Sequence, residues 1–374
     1  MTFTISSKEL NKVINNVVLA IETKNNIAIL SNIVFQVKES VLTLTASGTD
    51  LSLTARIGVE KAEDGAFCVD AMNITNMLAK MPDTLLTFST DKMNSLIVDY
   101  GTGKFTLPTE GTENYPTMPE IGEEKKYFTI SENVLQGGVA RSSFAVANEQ
   151  LRLVMTGICF DMKEKSLNIV ASDGHLMVKN TITGFPDSTD GMFILTKKAS
   201  VILKKILDKN SEEEVTVTFN DSQMCVNNET YSLTSKLIEG RYPNYNAVIP
   251  KGEQNVVTID RKNLLAALNR MTTVLNGEMG NLVKLTVKEN QLTLNTTNYD
   301  GSKQAEENIS CAYNGIEQFI SLKGTLTIEV LSNISAEEID IYLFGEERPA
   351  LIFPTIQPEN QEVMILQMPM FSNN

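Results

Sequence analysis

Histidine occurs once in the 374 residues, at His175, and the four cysteines (Cys68, Cys159, Cys225 and Cys311) are scattered, with no pair at metal-ligand spacing. That scarcity excludes a zinc site, which draws on clustered His and Cys donors. The cysteines read as small buried hydrophobes of a reducing compartment. No run approaches the ~18 apolar residues of a membrane span. The start, Met1-Thr2-Phe3-Thr4-Ile5, has no basic stretch leading into an apolar core, so no signal peptide is expected. There is no phosphate-binding P-loop and no dinucleotide fingerprint. Basic residues are in deficit, 32 against 46 acidic ones, for a net charge of −14. Spread evenly, that charge would exclude a nucleic-acid binder, since phosphates need Lys and Arg. Binding depends on where the charges sit, so a local basic surface has to be sought.

The chain does contain an internal repeat. Leu42-Thr43-Leu44-Thr45-Ala46-Ser47, Leu167-Asn168-Ile169-Val170-Ala171-Ser172 and Leu292-Thr293-Leu294-Asn295-Thr296-Thr297 are spaced 125 residues apart, and Lys38-Glu39, Lys163-Glu164 and Lys288-Glu289 keep the same register. Three domains follow, over 1–121, 122–250 and 251–374. Each reads as strand, helix, strands, helix, strands, which makes the fold class α+β. In the first, Leu10, Val13, Ile14 and Val17 give a helix over 8–20 one buried face, and a second helix is expected over 71–81. In the second, Gly137 and Gly138 weaken the first helix by about 1 kcal/mol each. In the third, Thr325, Thr327, Ile328 and Val330 favour a strand by propensity. The repeat register instead predicts a helix over 324–331.

The basic surface appears on the predicted helix 197–208. Lys197, Lys198, Lys204 and Lys205 lie about two turns apart on one stripe, opposite Ala199, Ile202, Leu203 and Ile206, with Lys209 just beyond. A solvated face normally mixes both signs, and Asp208 is the only acid on this helix. The other helices carry Lys8, Lys12 and Lys80, then Arg141, then Arg261, Lys262, Arg270 and Lys323. A shared basic side would attract duplex phosphates without sequence readout, and the lack of interleaved aromatics argues against single strands. Ser172, Asp173 and His175 are too close in sequence to form a hydrolase triad. With no acid/base constellation elsewhere, the chain reads as a binding protein. The alternatives are a β-rich scaffold or adhesion protein, which the one-sided lysines do not suit, and an enzyme, which lacks a site.

The triplication, the motif Ala171-Ser172-Asp173-Gly174-His175, the run Leu233-Thr234-Ser235-Lys236-Leu237-Ile238-Glu239-Gly240-Arg241-Tyr242-Pro243-Asn244-Tyr245 and the terminal Met368-Pro369-Met370 resemble the bacterial DNA sliding clamp, the beta subunit of DNA polymerase III, along the whole chain. The resemblance implies the DNA-clamp fold, two helices per domain on antiparallel sheets, closing as a head-to-tail homodimeric ring around duplex DNA. It implies a cytoplasmic, nucleoid-associated processivity factor with no catalysis, cofactor, metal or membrane contact. Expected partners are double-stranded DNA, a second copy, the polymerase III catalytic subunit, the clamp loader, and other polymerases and repair proteins docking through short linear motifs. The implied DNA contacts are Lys24, Lys80, Arg141, Arg152, Lys197, Lys198, Lys204, Lys205, Lys209 and Arg270. The implied peptide pocket comprises Met155, Ser172, Gly174, His175, Leu176, Met177, Pro243, Val248, Leu366, Met368, Pro369 and Met370. The dimer contact would set Phe105 and Leu107 against the partner's region of Val274 and Leu275. Leu176 stands where the family usually has Arg, the loop at 148–152 lacks the expected aromatics, and the tail runs on past Met370.

Overall fold

The computed structural model describes all residues except 23–26, 92, 94, 123, 186–189, 274, 276–281, 299–300 and 371–374. Lys24 and Val274 thus lie outside the described residues. The expected repeat is present. Each copy runs strand, helix, four strands, helix and three strands, apart from a fifth short strand, Glu60–Glu63, in the first copy. The helices are α1 (Ser7–Val17), α2 (Ala71–Leu78), α3 (Glu132–Ser142), α4 (Lys197–Ile206), α5 (Arg261–Thr273) and α6 (Gly324–Ser332).

Local chemistry accounts for each departure from simple propensity. In α1, Leu10, Val13, Ile14 and Val17 are buried as their spacing predicts, and the chain tightens into a 3-10 turn over Val18–Ala20. Asp70 caps α2, its Oδ1 accepting from the Asn73 amide at 2.8 Å. The weak helix α3 forms because Gly138 lets it approach the sheet. A Cβ there would sit 2.5 Å from Ile169 Cδ1. α6 forms against its strand propensity because Thr327, Val330 and Leu331 are buried. The Thr327 hydroxyl lies 3.1 Å from Gln367 Oε1, so the buried polar group is satisfied.

The shared register of the repeats comes from one turn. Strands Asn32–Lys38 and Val41–Ser47, Gly157–Lys163 and Ser166–Ser172, and Leu282–Lys288 and Gln291–Thr297 are each joined by two residues. Both residues have positive φ in all three hairpins: Glu39 and Ser40, Glu164 and Lys165, Glu289 and Asn290. This is the type I′ geometry whose twist matches paired strands. That non-glycine residues adopt it three times marks the turn as imposed by the flanking sheet.

The chain divides into two compact units, 1–137 with 198–239 and 138–197 with 240–374, which cut across the repeats. The first unit holds a 13-stranded sheet and the second an 8-stranded and a 4-stranded sheet. In the first unit the last strand of repeat two, Tyr231–Lys236, pairs antiparallel with Leu51–Gly58 of repeat one, setting Leu233 opposite Leu53. In the second unit the last strand of repeat three, Gln361–Gln367, pairs in the same way with Leu176–Thr183 of repeat two, setting Ile365 opposite Val178. All four of these side chains are buried.

The equivalent strand of repeat one, Lys104–Glu110, pairs with Ser95–Asp99 along one edge, but along the other only its last two residues, Thr109 and Glu110, pair with Val69 and Cys68. The strand Gln304–Ser310 of repeat three pairs only with Gln291–Thr297. Among the described residues, each therefore has an open edge. Neither this strand nor Leu176–Thr183 stands out in the sequence as a periodic run. At the first joint, we expect Leu233→Ala to destabilise the chain by about 3 kcal/mol, as for other emptied leucine sites, measured as a lowered urea midpoint at unchanged slope.

Candidate functional site

The motif Ser172-Asp173-Gly174-His175 is a hydrogen-bonded turn. Asp173 Oδ1 accepts from the amides of His175 at 2.8 Å and Leu176 at 2.7 Å. Ser172 Oγ accepts from the Gly174 amide at 3.1 Å and lies 2.8 Å from Leu176 O. Gly174 has φ +95°, which favours glycine. The oxygens that could suggest a nucleophile and its acid are spent on the turn, so its role is structural.

Strand pairing then assembles the neighbours. Leu176 lies opposite Gln367 and Met177 opposite Leu366, and the Met368 amide donates to His175 O at 2.8 Å. The Met370 amide donates to Ser321 O at 2.8 Å, extending the chain end along the strand Gln318–Lys323. Met155, Leu176, Met177 and Leu366 are buried; Met177 and Leu366, directly opposed, share one sheet face and form a floor, while Leu176 turns to the other face with Gln367. His175, Pro243, Val248 and Met368 are exposed, and Pro369 and Met370 are half-buried. The 3-10 segment Gln150–Thr156 adds Leu151 and Leu153, 91% and 57% exposed. Exposure of that degree on two leucines beside a methionine-rich floor is what an apolar ligand surface looks like, and polarizable methionine accepts varied shapes. Leu151 and Leu153 did not stand out in the sequence because a short irregular segment has no periodicity to read.

A buried polar anchor holds the loop that carries Pro243 and Val248. Tyr245 donates to Asp161 Oδ2 at 2.7 Å, and Lys163 Nζ lies 3.2 Å from Asp161 Oδ1. Lys179 reaches Asn246 Oδ1 at 3.5 Å and lies over the Tyr245 ring. Burial first, and then Asp161, pushes the Tyr245 phenol well above its ordinary range. Burial does the same to Tyr242.

The expected DNA contacts divide. Lys80, Lys197, Lys205 and Lys209 are exposed, with Lys197 Nζ 2.8 Å from Asn148 Oδ1. Lys198 is half-buried, donates to Ala20 O at 2.7 Å, and is pulled down in pKa by burial. Lys12, Lys204, Lys205 and Lys209 line a groove of about 590 Å³ together with Glu9, Glu132 and Glu213, so the C-terminal half of the α4 stripe faces acids from other elements.

Four of the expected residues have contacts or burial of their own. The Arg141 guanidinium donates to Gln361, its Nε is buried without a partner, and burial pulls it down to about 10. Arg270 is charge-compensated by a two-pronged ion pair with Glu307. Arg152 reaches toward Gly174 (its Nη1 would lie 4.0 Å from a Cβ there), which groups it with the peptide-site residues. Leu275, expected at the dimer contact, is buried within its own chain. Among the described residues no group of three or more His, Cys, Asp or Glu could hold a metal ion, and no helix is long and apolar enough to cross a membrane.

A triplicated α+β chain with repeat-to-repeat strand joints and an apolar site at the second joint defines the DNA-clamp class. Residues 1–119, 129–244 and 246–371 match the N-terminal, central and C-terminal domains of the DNA polymerase III beta subunit, and the chain belongs to that family. It is 28% identical over 348 residues to the beta sliding clamp of Haemophilus influenzae, covering 92% of this chain and 93% of that one. The structure of the sliding clamp of Pseudomonas aeruginosa bound to griselimycin is 26% identical, covers 100% of both chains, and superposes with a TM-score of 0.92. The Bacillus subtilis clamp, 22% identical over 100% of this chain and 99% of that one, shares the fold with a TM-score of 0.89. The chain is a processivity factor of DNA replication, not an enzyme.

The buried phenols set an alkaline limit on stability. Tyr245 and Tyr242 have raised native pKa values, so the unfolded chain ionises them first, near their ordinary 10.0. Their contribution is complete below that pH and is lost as pH rises through the native values. We expect urea stability to fall steeply above about pH 10, and Tyr245→Phe to lessen that fall. The same variant should lower neutral-pH stability by about 1–3 kcal/mol by removing the phenol that donates to the buried Asp161 Oδ2.

Proposed function

We propose that two copies close head to tail around duplex DNA and that the Met368–Met370 surface docks linear peptides of polymerases and repair proteins. The observation that carries the dimer is the pair of open edges. Ala55, Asn180 and Glu307 hold equivalent places, opposite Leu44, Ile169 and Leu294. Two residues earlier, Leu53, Val178 and Ala305 are therefore equivalent. Likewise Val98↔Phe105, Val226↔Leu233 and Ile352↔Ile365 make Phe105 the equivalent of Leu233 and Ile365. The two joints within the chain pair Leu233 with Leu53 and Ile365 with Val178. A third joint in the same register, between copies, sets Phe105 opposite Ala305 and Lys104 opposite Glu306. Phe105 is 41% exposed while its two equivalents are buried, which the missing partner strand explains. Such a homodimer has two identical joints.

In this reading the α4 lysines, Lys80 and the positions around Lys24 meet the phosphates without base readout. Retention comes from topology, so weak, screened contacts suffice. The clamp loader and the polymerase III catalytic subunit are the expected partners at the peptide site, and a cytoplasmic, nucleoid-associated location follows from that work. The domains are taken as 1–121, 122–250 and 251–374.

Charge exchange tests the register. Lys104→Glu should place like charges opposite each other and weaken the dimer, and Lys104→Glu with Glu306→Lys should restore it, both read by sedimentation equilibrium and by retention on circular but not linearised DNA. No rescue by the double variant would reject this register. Separately, deleting 368–374 should abolish polymerase stimulation while leaving the dimer mass unchanged; full stimulation by the truncated chain would reject the peptide site.

A further inference from the structure

A second cleft lies on the same sheet face as the proposed peptide site. It has a volume of about 450 Å³ and is lined by Asp340, Tyr342, Leu351, Phe353 and Glu362, among others, with no Lys or Arg in its wall. Register places it. Leu351 lies opposite both Leu366 of the peptide-site floor and Tyr342, and Phe353 lies opposite Asp340. Directly opposed residues of antiparallel strands share a face. Glu362 precedes Leu366 by four residues on one strand, so the cleft runs from Leu351, beside the floor, to Glu362 about 13 Å away, at about 3.3 Å per residue.

The chemistry of this wall favours a cation. Tyr342 and Phe353 meet edge to face with ring centroids 5.0 Å apart. Both rings are half-buried, so each keeps part of its surface open to the cleft. Negative ring faces attract ammonium and guanidinium groups. The Thr258 hydroxyl donates to Asp340 Oδ1 at 2.6 Å, which fixes that carboxylate in place. Glu362 stands exposed across the cleft. The supporting loop is pinned: Gln357 Oε1 accepts from the Val363 amide at 2.8 Å, and its Nε2 lies 3.2 Å from Val363 O. A pre-formed wall loses little order on binding.

We propose that this cleft takes a lysine or arginine side chain flanking the apolar anchor of a docked partner peptide. The proposal rests on the peptide-site reading above. The occupant is argued from charge complementarity and from continuity with the Leu366 floor. In a chain of net charge −14, an acidic aromatic notch beside the docking site selects among peptides with equal apolar anchors.

The test uses the full-length protein and fluorescein-labelled peptides that share a Leu-Leu-Phe core and a two-glycine spacer. The spacer is followed or preceded by Lys-Lys, Gln-Gln or Glu-Glu. Anisotropy titrations should show the Lys-Lys peptide of one polarity binding roughly three- to tenfold tighter than its Gln-Gln counterpart, a gain typical of a cation beside carboxylates and rings. Glu-Glu should bind more weakly. The double variant Asp340→Asn, Glu362→Gln should remove the Lys-Lys gain and leave Gln-Gln binding unchanged. Equal binding of the three peptides, or a Lys-Lys gain that persists in the double variant, overturns the proposal. Griselimycin separates the two readings. If it binds and displaces the Gln-Gln peptide, the apolar site stands whatever the charged ends do. If neither it nor any peptide binds, the peptide-site reading falls and this proposal with it.

Discussion

A β-strand with an unpaired edge is the constraint on which the rest of this structure depends. Each repeat ends in a strand whose outer edge has no partner in its own final three-stranded run, and open edges are association hazards. Two of the three are closed by borrowing the third strand of the preceding repeat's first sheet: Leu51–Gly58 takes Tyr231–Lys236, and Leu176–Thr183 takes Gln361–Gln367. Among the described residues, the edges at Lys104–Pro108 of repeat one and Gln304–Ser310 of repeat three stay open. The proposed association would close both edges, and the side chains agree with it, since Phe105 is exposed where Leu233 and Ile365 are buried.

The two internal joints differ in what they leave exposed, which supports the proposed docking surface at the second. At the first, the Lys236 amide donates to Asp50 O at 2.7 Å; at the second, the Met368 amide donates to His175 O at 2.8 Å. The backbone bond is the same. At the first joint the side chains form an ion pair, Lys236 Nζ 3.0 Å from Asp50 Oδ1. At the second, an exposed methionine meets an exposed histidine, and the chain runs on through Pro369 to Met370 along the strand Gln318–Lys323. An exposed ion pair is well hydrated and contributes little to stability. An exposed methionine over a Leu and Met floor leaves apolar area that a partner can bury.

Much of this was legible in the sequence because it is carried by periodicity and repetition. The 125-residue spacing located six helices, and register correctly overrode the strand propensity of Thr325, Thr327, Ile328 and Val330. Strands without alternation, such as Gln304–Ser310, were not legible, because an edge strand with exposed polar residues on one face looks like loop. Site residues read from short motifs were brought together when the motif was itself a turn or strand end: Gly174 donates to the Ser172 hydroxyl, and Met368 meets His175 through a backbone bond. Charge was the least legible property. A lone Arg in sequence says nothing of its partner, and Gln361 and Glu307 lie 220 and 37 residues from Arg141 and Arg270.

Those hidden partners bear on how a clamp holds DNA. A binder that relies on affinity needs cations free to replace counterions at each phosphate. Here Arg270 is neutralised by Glu307, Lys198 is committed to a carbonyl, and Lys204 and Lys205 of α4 share their groove with Glu9, Glu132 and Glu213. Compensated in this way, the basic residues of the proposed ring would bias the position of a duplex without fixing it to any one register. Such compensation would be a defect in a protein held by its contacts. In the proposed ring, held by closure of its edges, it would be an advantage, because every strong phosphate contact would have to break at each step of sliding. On that proposal the strand edges and the weakened charges are two halves of one solution: the first would supply retention, so the second is free to be weak.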